Sequence, residues 1–197
     1  MKTITNEITN EIVINKSKFI TVICPIISFN EIEQKIKELM NKYENATHYC
    51  YAYVIDGKEK CVDDGEPSGT AGLPILNILK TNKLTNVLCV VIRYFGGIKL
   101  GAGGLVRAYA SSAKEALNRC SFGLLVDGYE VTIEFDYDNI KNIDYILRNI
   151  DVEKNFEKKI IYKFRLDADT FNNIKDSLGK FSTIIFKEKT TIIKDDC

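Results

Sequence analysis

Residues 93–113 read RYFGGIKLGAGGLVRAYASSA. Five glycines, Gly96, Gly97, Gly101, Gly103 and Gly104, fall within nine residues of a 197-residue chain that has only 12. Glycine weakens helices and strands, and it is favoured where φ is positive or where another backbone or a ligand comes close. The flanks define the context. NVLCVVIRYF, upstream, is apolar on both faces, the pattern of a buried central strand. Downstream, from Gly103 or Gly104 to Arg119, Leu105, Ala108, Tyr109, Ser112, Ala116 and Leu117 recur at helical spacing. The glycine loop therefore joins a central strand to a helix N-terminus, where free N–H groups and the helix dipole favour an anion. Arg93, Lys99 and Arg107 add positive charge. The local pattern leaves two readings open: tight turning with close helix–strand packing, or contact with a phosphate or an RNA backbone. No Gly-Lys-Ser/Thr completes a Walker loop, and the spacing is not G-x-G-x-x-G, so a nucleotide fingerprint is absent.

The length suits one large or two small domains. Hydrophobic residues at 45% and charged residues at 27% are ordinary for a folded protein. The net charge is formally zero, so no global field draws the chain to nucleic acid or membrane. Residues 1–122 hold 15 Lys/Arg against 12 Asp/Glu, and residues 123–197 hold 12 against 15. The N-terminus lacks the apolar core of a secretory signal. The run VLCVVI is too short to span a bilayer. The six cysteines, Cys24, Cys50, Cys61, Cys89, Cys120 and Cys197, form no C-x-x-C pair. They read as reduced thiols of a cytoplasmic protein, with no membrane partner.

EIVINKSKFITVICPI reads as strand with a hairpin around Asn15–Lys18. Ser28 and Glu31 have capping-box spacing before a helix. THYCYAYVI reads as a strand, with His48, Cys50, Ala52 and Val54 on one face and Tyr49, Tyr51, Tyr53 and Ile55 on the other. DGKEKCVDDGEPSG reads as a polar loop, and Thr70–Lys80 as a helix. A β-α-β-β-α-β order follows from YEVTIEFDY onward, with an Asp-capped helix at DNIKNIDYILRNI and Gly179 closing the last helix. The expected boundary lies near residue 122, giving domains 1–122 and 123–197.

Other residues carry possible chemistry. Asp63, Asp64 and Glu66 can supply oxygen ligands to Mg²⁺, and such a trio is also what a solvated turn looks like. Ser68, Gly69 and Thr70 offer hydroxyl and N–H donors before a helix, a second anion cradle. His48 shares a strand face with Cys50, which permits a Cys–His pair, but a buried structural thiol is the favoured reading. The strand tyrosines can stack on bases, though core packing is favoured.

THYCYAYV, DDGEPSGTAGLPIL, VVIRYFGGIKLGAGGLVRAY and SSAKEAL together resemble the IMPACT/YigZ family over roughly residues 10–120. The resemblance implies an α+β chain. Its N-terminal β-α-β sandwich is similar to the second domain of ribosomal protein five of the small subunit. A ferredoxin-like β-α-β-β-α-β domain follows. The pair is similar to domains IV and V of elongation factor G. Eukaryotic members are linked to translational control, and their N-terminal extension has no counterpart here, so its function is not expected. The expected function is an RNA- or ribosome-associated protein that modulates translation. In it, Arg93, Lys99, Arg107 and the amides of Gly96–Gly104 contact phosphate, Asp63, Asp64 and Glu66 orient basic groups or a metal, and His48 and Tyr94 line the same cleft. The alternatives are a Mg²⁺-dependent enzyme on a small phosphorylated or nucleotide substrate, or a protein-interaction module.

Overall fold

The computed structural model describes residues 1–195, so Cys197 lies outside the described residues. It is a mixed α/β chain that divides into two compact units, Met1–Leu124 and Leu125–Lys194. The first unit contains β1 (Lys2–Ile4), β2 (Ile8–Ile14), β3 (Ser17–Pro25), α1 (Phe29–Lys42), β4 (His48–Ile55), β5 (Lys58–Val62), α2 (Gly72–Thr81), β6 (Val87–Tyr94) and α3 (Gly101–Leu117). It ends on the first residues of β7 (Phe122–Phe135), which pair antiparallel with β1.

Strands β2-β3-β6-β4-β5 form one sheet in that order, every neighbouring pair antiparallel. β6 is its centre and is buried from Val87 to Arg93. One face carries Phe19, Ile23, Cys50, Ala52, Cys89 and Val91, packed against α2 and α3 through Ile75, Leu79, Leu105 and Tyr109. The other face carries Ile20, Val22, Val90 and Ile92, packed against Ile32 and Leu39 of α1. Tyr49, Tyr51 and Tyr53 pack half-buried against this second cluster. Each large aliphatic side chain buried this way contributes about 1.5–3 kcal/mol.

Local chemistry sets the connections. Asn15 and Lys16 stand at φ 46° and 63°, the left-handed pair that a tight hairpin needs to match strand twist. Ser28 Oγ accepts the Glu31 N–H at 3.4 Å, and the Glu31 carboxylate accepts the Ile27 N–H at 2.8 Å. Among the described residues no helix is long and apolar enough to cross a membrane.

The second unit continues β7 through a 3-10 turn at Tyr137–Asn139 to α4 (Ile140–Ile146), β8 (Val152–Phe156), β9 (Ile160–Asp167), α5 (Ala168–Phe181) and β10 (Thr183–Asp195). β9 lies between β7 and β8, and β10 pairs with β7. Ile133, Phe135, Ile143, Tyr162, Phe164, Phe171 and Leu178 form its core.

Several elements depart from the sequence expectation. β5 lies inside the expected polar loop. Asp56 and Gly57, at φ 48° and 75°, turn the chain into an edge strand with one neighbour, and its side chains stay wet and show no apolar alternation. α3 begins at Gly101, before the expected start. Asp138 is not a cap, because Tyr137–Asn139 forms the 3-10 turn and α4 starts after it. Gly179 does not close α5: the helix runs on to Phe181, which packs on the core, and Ser182 caps it through Leu178 O.

Asp167 caps α5, accepting from the Thr170 N–H at 3.1 Å and its hydroxyl at 2.6 Å, with Lys194 Nζ at 3.0 Å. Burial opposes its charge, but these donors outweigh burial and hold its carboxyl at about 2. The folded value lies below the ordinary carboxylate value of about 3.9. The stabilisation is therefore complete above pH ~4 and disappears as pH falls through ~2. Asp167→Asn should lower stability at neutral pH by on the order of 2 kcal/mol and flatten the acid limb of a denaturation-versus-pH profile.

Candidate functional site

The site grows from the end of β6. Alternation puts Cys89, Val91 and Arg93 on the α2/α3 face and sends Tyr94 to the other, where its hydroxyl donates to Glu44 O at 3.1 Å. The antiparallel registers place Phe19 and His48 directly beside Arg93. Arg93 is 4% exposed. Its Nη1 donates to Glu66 Oε1 at 2.5 Å, and Nη2 reaches Ser17 Oγ at 3.4 Å. The guanidinium stands over the rings of Phe19 at 5.5 Å and Phe95 at 5.4 Å. Its Nε–H is buried without a partner. An unmet buried donor costs about 1–3 kcal/mol.

Glu66 is equally buried, its side chain 4% exposed. The Tyr109 hydroxyl of α3 donates to the same oxygen at 2.8 Å, and His48 Nε2 stands 3.9 Å from it. Burial first, then Cys50 and Glu66, push the Tyr109 phenol far above its ordinary value, so it remains a donor. His48 Nδ1 lies 2.7 Å from Asp64 O. A carbonyl only accepts, so Nδ1 carries the proton of that contact. Cys50 Sγ stands 2.9 Å from Asp63 O and 3.4 Å from the Tyr109 hydroxyl. Burial drives its thiol up to about 12, which removes the thiolate that a Cys–His pair requires.

The acidic loop has structural work. The Asp63 carboxylate accepts the N–H groups of Gly69, Ala71 and Gly72 at 2.8–3.0 Å. Burial opposes its charge, and these three amides outweigh burial and hold its pKa below the ordinary value. The cradle expected at Ser68–Thr70 is thus filled from within the chain: Gly69 donates to Asp63, and the Thr70 hydroxyl donates to Pro67 O at 2.6 Å. Asp64 Oδ2 accepts the Tyr49 N–H at 2.6 Å. Among the described residues no three His, Cys, Asp or Glu side chains stand close enough to hold a metal ion. The Mg²⁺ arrangement expected of Asp63, Asp64 and Glu66 is not formed, because each carboxylate already has a donor.

His48, Glu66 and Arg93 line a cleft of about 350 Å³ with Phe95, Lys99 and Gly101. Sequence reasoning missed Tyr109, which reads as one more apolar position on a helix stripe, and Phe95, whose exposure follows only from its place just past the buried strand. The glycines divide by role. A Cβ on Gly96 would collide with the Lys16 carbonyl, so Gly96 lets the loop pack on the β2–β3 turn. Gly97 and Gly101 have φ of 83° and 68°, with open space where a Cβ would be. Gly103 and Gly104 belong to the first turn of α3, which no side chain caps. Ser68 is exposed, and Arg107 lines a separate cleft with Asn15 and Ser111.

The comparisons agree on one family. The Impact N-terminal domain matches residues 15–117. YvyE of Bacillus subtilis, an IMPACT family member, is 52% identical over 55% of this chain and 52% of its own length. YigZ of Escherichia coli, an IMPACT family member too, is 29% identical over 86% of this chain and 87% of its own. A crystal structure of a hypothetical protein shares the fold at a TM-score of 0.60, 24% identical, covering 93% of this chain and 95% of that one. The chain belongs to the IMPACT family. The matched region contains the whole cleft.

Removing one member of a buried ion pair leaves the other uncompensated, at a cost of roughly 3–5 kcal/mol. Glu66→Ala should show that loss in urea denaturation, and Tyr109→Phe a smaller loss of about 1–3 kcal/mol.

Proposed function

We propose that this chain binds RNA, on the ribosome or in association with it, and thereby modulates translation. The observation that carries the reading is the uncapped start of α3, which opens beside Lys99 on a cleft also lined by Arg93, whose Nε–H has no partner. The first N–H groups of a helix have no partner within it, and the dipole adds positive potential there. Lys99 is exposed, and no ion pair holds it among the described residues. Phosphate is the anion such a rim suits. Membership of the IMPACT family supports the translational setting, since that is what the resemblance implies for its eukaryotic members. The order β10-β7-β9-β8 supports a ferredoxin-like reading of the second unit. The packing of α2 and α3 on one sheet face supports likeness to the ribosomal-protein domain for the first.

Co-sedimentation with ribosomes at low and physiological salt tests this reading. Phosphate contacts require binding that weakens as salt rises. Lys99→Ala should weaken it further and reduce the salt slope by about 1. Arg93 is a poor probe, because its loss breaks the buried pair. Absence of wild-type binding at low salt would overturn the reading.

A further inference from the structure

We infer that the cleft receives one unpaired nucleotide of an RNA strand, its base against Phe95 and its phosphate at the first turn of α3 beside Lys99. This deepens the RNA reading and rests on it. The cleft offers two kinds of wall that a nucleotide matches. One is aromatic: Phe95 is 46% exposed and lines the cleft just past β6, whose residues from Val87 to Arg93 are buried. Its backbone N–H donates to Thr47 Oγ1 at 2.9 Å, which anchors the main chain, and the Arg93 guanidinium over its ring at 5.4 Å restrains the side chain. A ring fixed this way loses little freedom on stacking. Ile98, 42% exposed, extends the apolar surface of the same loop.

The other wall is anion-ready. Gly101 and Ala102 open α3 into the cleft, Lys99 precedes them, and no side chain caps the helix. Arg93 gives a second, independent sign: it lines the cleft, is nearly fully buried, and has a donor without an acceptor. Glu66 and Arg93 offset one another in charge, so the positive potential at this wall comes from Lys99 and the start of α3, and Arg93 contributes its unpartnered Nε–H. The positive φ at Gly97 and Gly101, with no atom within 4 Å of either Cβ position, leaves the loop surface open to close approach. A cleft of about 350 Å³ lies within the usual range for small-ligand clefts of roughly 300–1,000 Å³. A duplex keeps its bases stacked and out of reach, so only an unpaired base can lie against the ring.

The experiment is fluorescence polarisation at low salt with a labelled single-stranded oligouridylate and, separately, a blunt RNA duplex. Wild type, Phe95→Ala, Phe95→Tyr and Lys99→Ala are compared, each first shown folded by circular dichroism. The single strand should bind more tightly than the duplex. Phe95→Ala should weaken that binding roughly tenfold or more, Phe95→Tyr should restore it, and duplex binding should be unmoved by either change. Equal single-strand affinity of Phe95→Ala and wild type would overturn the inference while leaving backbone contact, and the RNA reading, standing. Binding of neither RNA would overturn both.

Discussion

A carboxylate and a guanidinium removed from water dominate the first unit. Desolvating two charges costs several kcal/mol per ion, and their attraction offsets this only with good geometry and further hydrogen bonds. Glu66 and Arg93 meet that condition through Tyr109 and Ser17. Each partner is delivered by a different element. β6 must end with Arg93 between Phe19 and His48. The 63–66 loop must fold back to bring Glu66 under it, which the Asp63 carboxylate secures by gripping the start of α2. α3 must lie across the sheet with Tyr109 inward, where its ring meets Phe19 edge-on at 5.3 Å. The pair thus ties strand, loop and helix into one arrangement.

That tie divides labour within the site. The floor is internally hydrogen-bonded apart from one Arg93 donor, with Glu66 held by Arg93 and Tyr109. What is available to a ligand lies on the rim: the Phe95 ring, the Lys99 ammonium and the opening turn of α3. The glycine-rich stretch serves both levels. Gly96 permits close packing against the β2–β3 turn, whereas Gly97 and Gly101 supply left-handed backbone at the open edge.

Much of the fold was legible from periodicity. The β2–β3 hairpin, the two faces of β4, the central position of β6 and the later helices follow from alternation and helical spacing, because burial imposes those periods. β5 was hidden because an edge strand with wet faces has no apolar pattern. The helix ends moved because tertiary contacts, such as Phe181 on its core, outweigh a glycine signal. Of the site, His48, Glu66, Arg93, Lys99 and Gly101 were named from residue type and do meet in one cleft. Tyr94 and Arg107 were misplaced by reasoning from proximity along the chain: strand alternation turns one away, and helical rotation carries the other to a neighbouring cleft. The role of Asp63 stayed open in the sequence because a carboxylate that holds a helix start and one that holds a cation look alike there.

The proposed RNA contact falls on the rim of the first-unit cleft. Backbone amide NMR of the ¹⁵N-labelled protein, titrated with an RNA oligonucleotide, addresses it most directly. Shift changes should concentrate at Thr47, His48 and the amides from Phe95 to Gly104, with the amides of the second unit unmoved. Changes confined to the second unit would contradict it.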